Sequence, residues 1–308
     1  MSVVVLGSLN MDLTTYVPRL PRPGETLLGR TFMMAPGGKG ANQAVAAARL
    51  GSKVRLFGRV GRDNFGEQHL LAMQQEGVDT LGVVRDNERS TGLAVISVDD
   101  SGENCITVIS GANMAVGDED VARCTKVMEE AKVLLLQLEI PLQANLAAAR
   151  EAHRRGITVI LDPAPSGQLP DDLFPLVDVI TPNEVEAGPL VGHPVETEAD
   201  AFAALSALRE KGVSAAIIKM GSRGVVFQTG TDRGHAPAFQ VNAVDSVAAG
   251  DAFNGALATA LAEGQSFREA IRWGAAAGAL AVTRAGALPS LPRRVDVMQL
   301  LQSSRGAE

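Results

Sequence analysis

Few residues in this chain could serve a disulfide framework, a metal cluster or a nucleic-acid surface. The two cysteines, Cys105 and Cys124, sit in dissimilar settings, which removes a disulfide scaffold and a Cys-based metal site and fits a reducing cytosol. Four histidines, His69, His153, His193 and His235, lie far apart among polar neighbours, without the spacing of metal ligands, and all four read as surface residues. No basic run exceeds the Arg293-Arg294 pair, and the net charge is −7, so no nucleic-acid partner is expected. The longest apolar stretches are of strand length or broken by charge, and no basic segment precedes the apolar pattern that begins at Val3. A cytoplasmic, soluble protein without signal peptide or membrane partner is therefore expected.

What is present is core-forming material: 46% of the 308 residues are hydrophobic, enough for one large domain, expected over 1–308. Short continuous apolar runs recur at Val3–Leu9, Val54–Gly58, Val133–Leu138, Ile157–Leu161, Val177–Ile180 and Ala215–Ile218. Such runs suit strands buried on both faces of a parallel sheet. Between them, Ala41–Leu50, Phe65–Glu76, Pro141–Arg155 and Ala199–Lys211 have helical character, and an Ala-rich helix follows from Phe267 to Thr283. The alternation predicts an α/β fold, a three-layer α/β/α sandwich with a mainly parallel central sheet. Two segments break it. Thr14–Met34 carries Pro18, Pro21 and Pro23, and Leu93–Ile109 reads as two strands around Asp99–Glu103. They predict a small β lid, from about 12–36 and 91–110, over the sheet end where open α/β folds bind ligands. The chain is expected to close with a short helix and a polar tail.

The segment Ala248-Ala249-Gly250-Asp251 precedes a helical run from Ala252 to Leu261. Small residues let the backbone approach a ligand, and the helix start offers unpaired N–H groups and a positive dipole end to an anion. Asp251 could then accept the proton of a hydroxyl attacking a bound phosphate. From this segment alone, a plain N-cap role for Asp251 stays open. Pro36-Gly37-Gly38-Lys39-Gly40-Ala41-Asn42 is not a Walker A loop, because Gly40 follows the lysine where Ser or Thr must hold Mg²⁺. It reads instead as a backbone approach to a polar ligand, with donors from Lys39 and Asn42, or as a turn that Asn42 merely caps. Asn10 and Asp12, after the first strand, carry the amide and carboxylate that a polyol needs. A dinucleotide-binding oxidoreductase is a weaker alternative, since Gly7-Ser8-Leu9-Asn10 lacks the three-glycine fingerprint.

Together, Asn10-Met11-Asp12, Gly37-Gly38-Lys39-Gly40-Ala41-Asn42, Thr181-Pro182-Asn183-Glu184-Val185-Glu186 and Ala248-Ala249-Gly250-Asp251 resemble the ribokinase branch of the carbohydrate and nucleoside kinase family often called PfkB, from the first strand to Ser290. The resemblance implies a ribokinase-like sandwich whose β lid clasps a second copy in a homodimer. It implies ATP-dependent phosphorylation of D-ribose at the 5-hydroxyl, with Mg²⁺ accompanying ATP. Asp251 becomes the catalytic base and the N–H groups of Ala248, Ala249 and Gly250 the anion hole. Asn10, Asp12, Gly38, Lys39, Asn42 and Glu139 face the sugar. Asn183 reaches the nucleotide phosphates and Glu186 organises Mg²⁺ and its waters, although without the family Pro-Asn-Glu reads as a loop with a helix cap. Lys219, Gly221, Ser222 and Gly224 resemble the nucleotide loop, with Lys219 where Thr is common, and Ala275 replaces a polar base-contacting residue. Asp245, Val247, Ala281, Arg284, Gly286 and Ser290 match a monovalent-cation site suited to K⁺; read alone, Asp245 could simply end a strand and cap its turn. Kinases of the family acting on deoxyribose, nucleosides or other sugars are the alternatives, as is a non-catalytic sugar-binding regulator. One Trp and one Tyr supply a base-stacking platform poorly, and intact Asp251 and Glu186 speak against a silent protein.

Overall fold

The computed structural model describes residues 2–305, so the end of the expected polar tail, 306–308, lies outside the described residues. The chain opens with β1 (Ser2–Leu6), β2 (Asn10–Tyr16), β3 (Thr31–Gly37), α1 (Lys39–Arg49), β4 (Lys53–Gly61), α2 (Asn64–Gln75) and β5 (Val78–Asp86). It continues through β6 (Gly92–Val98), β7 (Asn104–Ile109), α3 (Asp118–Val127), β8 (Ala131–Gln137), α4 (Leu142–Arg154), β9 (Thr158–Asp162) and β10 (Val179–Ile180). Then follow α5 (Glu184–Val191), α6 (Glu198–Glu210), β11 (Ala215–Lys219), β12 (Val225–Gln228), β13 (Arg233–Ala236), α7 (Ala249–Ala262), α8 (Phe267–Ala281) and α9 (Arg294–Arg305).

Among the described residues, nine strands form one sheet in the order β13-β12-β11-β10-β9-β8-β1-β4-β5. Pairing is parallel from β11 to β5, while β12 pairs antiparallel with both β11 and β13. Strand periodicity explains why the sheet lies between two helical layers. Val3 and Val5 of β1 enter one core, built with α1, α2, α7, α8 and α9, while Val4 and Leu6 enter the other, built with α3, α4, α5 and α6. In β8, Val133 and Leu135 face the first core and Leu134 and Leu136 the second. All four are at most 1% exposed, and truncating any such Leu to Ala costs about 2–5 kcal/mol.

The expected strands and helices are found with ends moved by a few residues, save that the first strand stops at Leu6 and not Leu9. Gly7 explains the stop: a Cβ there would lie 2.1 Å from Gln137 Oε1 and 2.8 Å from Gly40 Cα, so the chain turns where α1 crowds it. The two irregular segments build a second, four-stranded sheet of order β3-β2-β6-β7 over the C-terminal end of β1. No described helix is long and apolar enough to cross a membrane. His69 corrects an expectation. It is fully buried in α2, beside Gly66, Leu70 and Met73 on the inward face, while His153, His193 and His235 are exposed.

Candidate functional site

The parallel strands all end on one edge, and from that edge come Ser8–Asn10 after β1, Glu139 after β8, Asp162 at the end of β9, Asn183 after β10 and Lys219 at the end of β11. Helix α7 supplies the remaining groups. Its N-cap is Ala248, the only non-glycine with positive φ (60°) among the described residues, and Asp251 is therefore the third helical residue and not the cap. The left-handed turn sets Ala248 and Gly250 in the wall of a cavity beside Asp251. Ala249 departs from the expected trio, because its N–H donates to Ser246 O at 3.3 Å.

Asp251 is 5% exposed and held by two amides: Gln43 Nε2 donates to Oδ1 at 3.1 Å and Asn42 Nδ2 to Oδ2 at 3.0 Å. Asn42 lies inside α1 and does not cap it. Burial pushes Asp251 up; Lys39 pulls it down, Asp162 raises it again, the two amide bonds lower it, and the carboxyl settles at about 6. A base in this range is deprotonated at neutral pH yet basic enough to take a hydroxyl proton. Burial alone would depress Lys39, but Asp251, Asp162, Glu139 and Glu186 outweigh it and hold the ammonium above its usual range.

On the side of the small sheet, Asp12 of β2 sits against Gly37, where a Cβ would fall 2.1 Å from Oδ2. Its carboxyl is pushed up to about 7 by burial, then by Glu139 and Asp251. Asn10 Oδ1 accepts from Asn113 Nδ2 at 2.7 Å, which leaves the donor end of Asn10 for a ligand. Gly38 has φ +90°, and a side chain there would meet Asn10 N at 2.7 Å and Ser8 O at 2.9 Å, so Gly38 is required by backbone contact and Gly37 by the Asp12 carboxylate. Glu139 is partly spent on architecture. Its Oε2 accepts from Ser8 Oγ at 2.5 Å and from the N–H of Lys39 at 3.1 Å, anchoring the start of α1.

Towards β11, Asn183 and Glu186 form a reciprocal capping box on α5, each side chain accepting the other's N–H at 2.8 Å. Both also line a polar cavity of about 270 Å³ together with Lys39, Asp162, Lys219, Ala248, Gly250 and Asp251. This cavity shares Lys219, Gly221, Ser246 and Gly250 with an apolar one of about 380 Å³, lined also by Ser222, Gly224, Phe239, Ala275 and Val282. An apolar slot running into a polar one that ends at a buried carboxylate can take a heterocycle bearing phosphates. Beside it, Asp245 Oδ1 accepts the N–H of Val247 at 3.0 Å and Oδ2 that of Gly286 at 2.8 Å, tying the two segments together. Ser290 is buried and its hydroxyl donates to Ala287 O at 2.7 Å, Arg284 N–H bonds Ala281 O at 3.2 Å, and Arg284 itself is exposed.

Gln43, Asp162, Asn113, Gln137 and Ser8 belong to this network and were not expected from sequence. Asp162 follows the predicted strand Ile157–Leu161 as Glu139 follows Val133–Leu138, so the same signal could have found it. Gln43 faces the cleft because Gln137 Nε2 donates to its Oε1 at 2.6 Å, leaving its own NH₂ for Asp162 at 3.0 Å and Asp251.

Residues 1–294 match the sequence profile of the pfkB family carbohydrate kinase. A ribokinase of Haemophilus influenzae is 44% identical over 302 residues, which cover 98% of either chain. A deoxyribokinase of Salmonella typhi is 37% identical over 293 residues, covering 95% of this chain and 96% of the relative. Among solved structures, Arabidopsis thaliana ribokinase complexed with ribose and ATP has a TM-score of 0.90 at 35% identity, covering 97% of this chain and 98% of that one.

Proposed function

The chain belongs to the pfkB family of carbohydrate kinases, and we propose that it transfers the γ-phosphoryl group of MgATP to the 5-hydroxyl of D-ribose. One observation carries the reading: Asp251, buried, stands between the sugar-side carboxylate Asp12 and the polar cavity that holds Lys39 and Lys219. Asn10, Asp12, Gly38, Lys39, Asn42 and the free oxygen of Glu139 hold the sugar hydroxyls. Ribose enters with its 5-hydroxyl towards Asp251, which orients that oxygen and takes its proton as the phosphoryl group moves across. Lys39 and the N–H groups of Ala248 and Gly250 meet the charge that gathers on the phosphoryl oxygens. Asn183 contacts the phosphates and Glu186 the waters of the magnesium that enters with ATP. The purine lies in the apolar slot, against Gly221, Ser222 and Gly224. The small sheet covers the sugar, so the acceptor is its hydroxyl and not water.

We assign a monovalent cation, K⁺, to Asp245 with the carbonyls of Val247, Ala281, Arg284, Gly286 and Ser290. Support comes from the donor set, one carboxylate with a turn of small residues, and from Asp245 holding both segments by hydrogen bonds. Bound there, the ion supplies charge that steadies the backbone leading into α7. Two copies pair through the small sheet, whose Phe32 (70% exposed), Ile106 (52%) and Val108 (51%) otherwise face water. The reaction is placed in the cytoplasm, in keeping with two free cysteines.

A deoxyribokinase among the relatives favours deoxyribose as the second reading. Coupled measurement of ADP release over ribose, deoxyribose, nucleosides and hexoses decides. Ribose is expected to give the highest kcat/KM. Deoxyribose ahead of ribose would transfer the assignment, and no ADP release with any acceptor would leave a binding protein.

A further inference from the structure

We propose that Lys219 binds the phosphate chain of MgATP directly, and that Asp162 is the positioning residue which aims it and couples it, through Gln43, to the base Asp251. The proposal rests on the kinase reading above. Lys219 begins the segment that resembles a purine-binding loop, but its ammonium is turned the other way. Nζ lies 3.0 Å from Asp162 Oδ1 and 3.2 Å from the point a Gly250 Cβ would occupy, so it stands beside the first turn of α7. Only one of its three donors is engaged there by a side chain. A second cation thus lines the polar cavity together with Lys39, and it also borders the apolar slot.

An ammonium at the positive end of a helix is unfavourable unless a carboxylate accompanies it or an anion arrives. Asp162, 2% exposed, is that carboxylate. Its other oxygen accepts from Gln43 Nε2 at 3.0 Å, the same NH₂ that donates to Asp251 at 3.1 Å. One side chain therefore has an oxygen on each half of the site. Engagement of Lys219 by phosphate leaves Asp162 with Gln43, and through it the geometry of the base is tied to occupancy of the nucleotide cavity.

The test uses the full chain and three nucleotide probes by calorimetry: adenosine, ADP and a non-hydrolysable ATP analogue with Mg²⁺. For Lys219→Met the affinity for the ATP analogue is expected to fall roughly 10- to 100-fold, the size of a lost charge-assisted hydrogen bond, while adenosine binding stays within a few-fold. Lys219→Arg is expected to restore most of the loss. Asp162→Asn is expected to weaken the analogue less but to lower kcat, because Gln43 loses a charged acceptor. The analogue-to-adenosine ratio is insensitive to general damage, and Lys219→Gln serves if the methionine variant folds poorly. Equal losses for adenosine and analogue, or no loss for either, would overturn the role of Lys219. An unchanged kcat in Asp162→Asn would overturn the coupling. Should the parent fail to phosphorylate ribose, the functional reading falls; should it succeed while the variants bind as the parent does, only this inference falls.

Discussion

Replacing Asp251 by asparagine separates what the carboxylate does for chemistry from what it costs the fold. Its folded-state pKa of about 6 stands above the 3.8 of the unfolded chain. Protonation therefore stabilises the folded state: the contribution is whole below 3.8 and is lost as the pH rises through about 6. The loss amounts to about 3 kcal/mol. Asparagine never ionises and does not incur it. The amide can also be accommodated. Gln43 is oriented by Gln137 and keeps donating, now to the asparagine oxygen, while rotation of the Asn42 amide offers Asn42 Oδ1, a buried acceptor with no partner, to the new NH₂. The variant is thus expected to lose ~10²–10⁴-fold in kcat while its unfolding free energy, relative to the parent, rises by about 3 kcal/mol between about pH 4 and pH 8. ADP release at saturating ribose and MgATP measures the first, and urea unfolding followed by Trp273 fluorescence the second. A variant keeping half the parental kcat would remove Asp251 from the mechanism. A stability difference that does not grow with pH would show that the carboxyl is not held above its ordinary range.

Asp12→Ala is expected to raise the KM for ribose by the equivalent of about 1–3 kcal/mol while sparing the KM for ATP; equal effects on both would refute its place on the sugar side. Because Asp12 sits at about 7, the ionised acceptor form gains as pH rises, and the KM for ribose should fall from about pH 6 to pH 8. Gly38→Ala must bear a side chain at φ +90° against backbone atoms of Ser8 and Asn10, and should lose roughly 1–3 kcal/mol of stability with a weakened ribose KM, checked by urea unfolding and kinetics. Potassium is expected to raise kcat over tetramethylammonium at constant ionic strength in the parent but not in Asp245→Ala; a parent indifferent to the two salts would remove the cation site.

The fold was legible wherever burial on both faces forced a run of apolar residues. Val133 to Leu136 alternate between two cores, and no polar residue could stand there, so β8 is visible without any partner. The edges were not. β5 reads Val-Asp-Thr-Leu-Gly-Val-Val-Arg-Asp because one side of it faces solvent, and α3 opens with Asp118, Glu119 and Asp120, which suit a helix N-terminus but mask its short apolar face. His69 shows a signal passed over. Its neighbours Glu67 and Gln68 are polar, yet Gly66, His69, Leu70 and Met73 recur at helical spacing and mark the inward face.

Within the site, the residues that could be read were those whose role a short motif contains, such as Asp251 at a helix start or the glycines before α1. Gln43 could not, because its role exists only between elements more than a hundred residues apart: it is 119 positions from Asp162 and 208 from Asp251. Glutamine in a helix is ordinarily a solvent-facing residue, and only the bond from Gln137 to its oxygen forces the NH₂ towards the acids. That constraint has a functional consequence. A freely rotating amide could turn its oxygen to the carboxylates and repel them, whereas one held from behind always presents a donor. The buried amides of Asn42, Gln43 and Gln137 thus counter the repulsion between two neighbouring carboxylates and keep Asp251 aimed before either substrate has arrived.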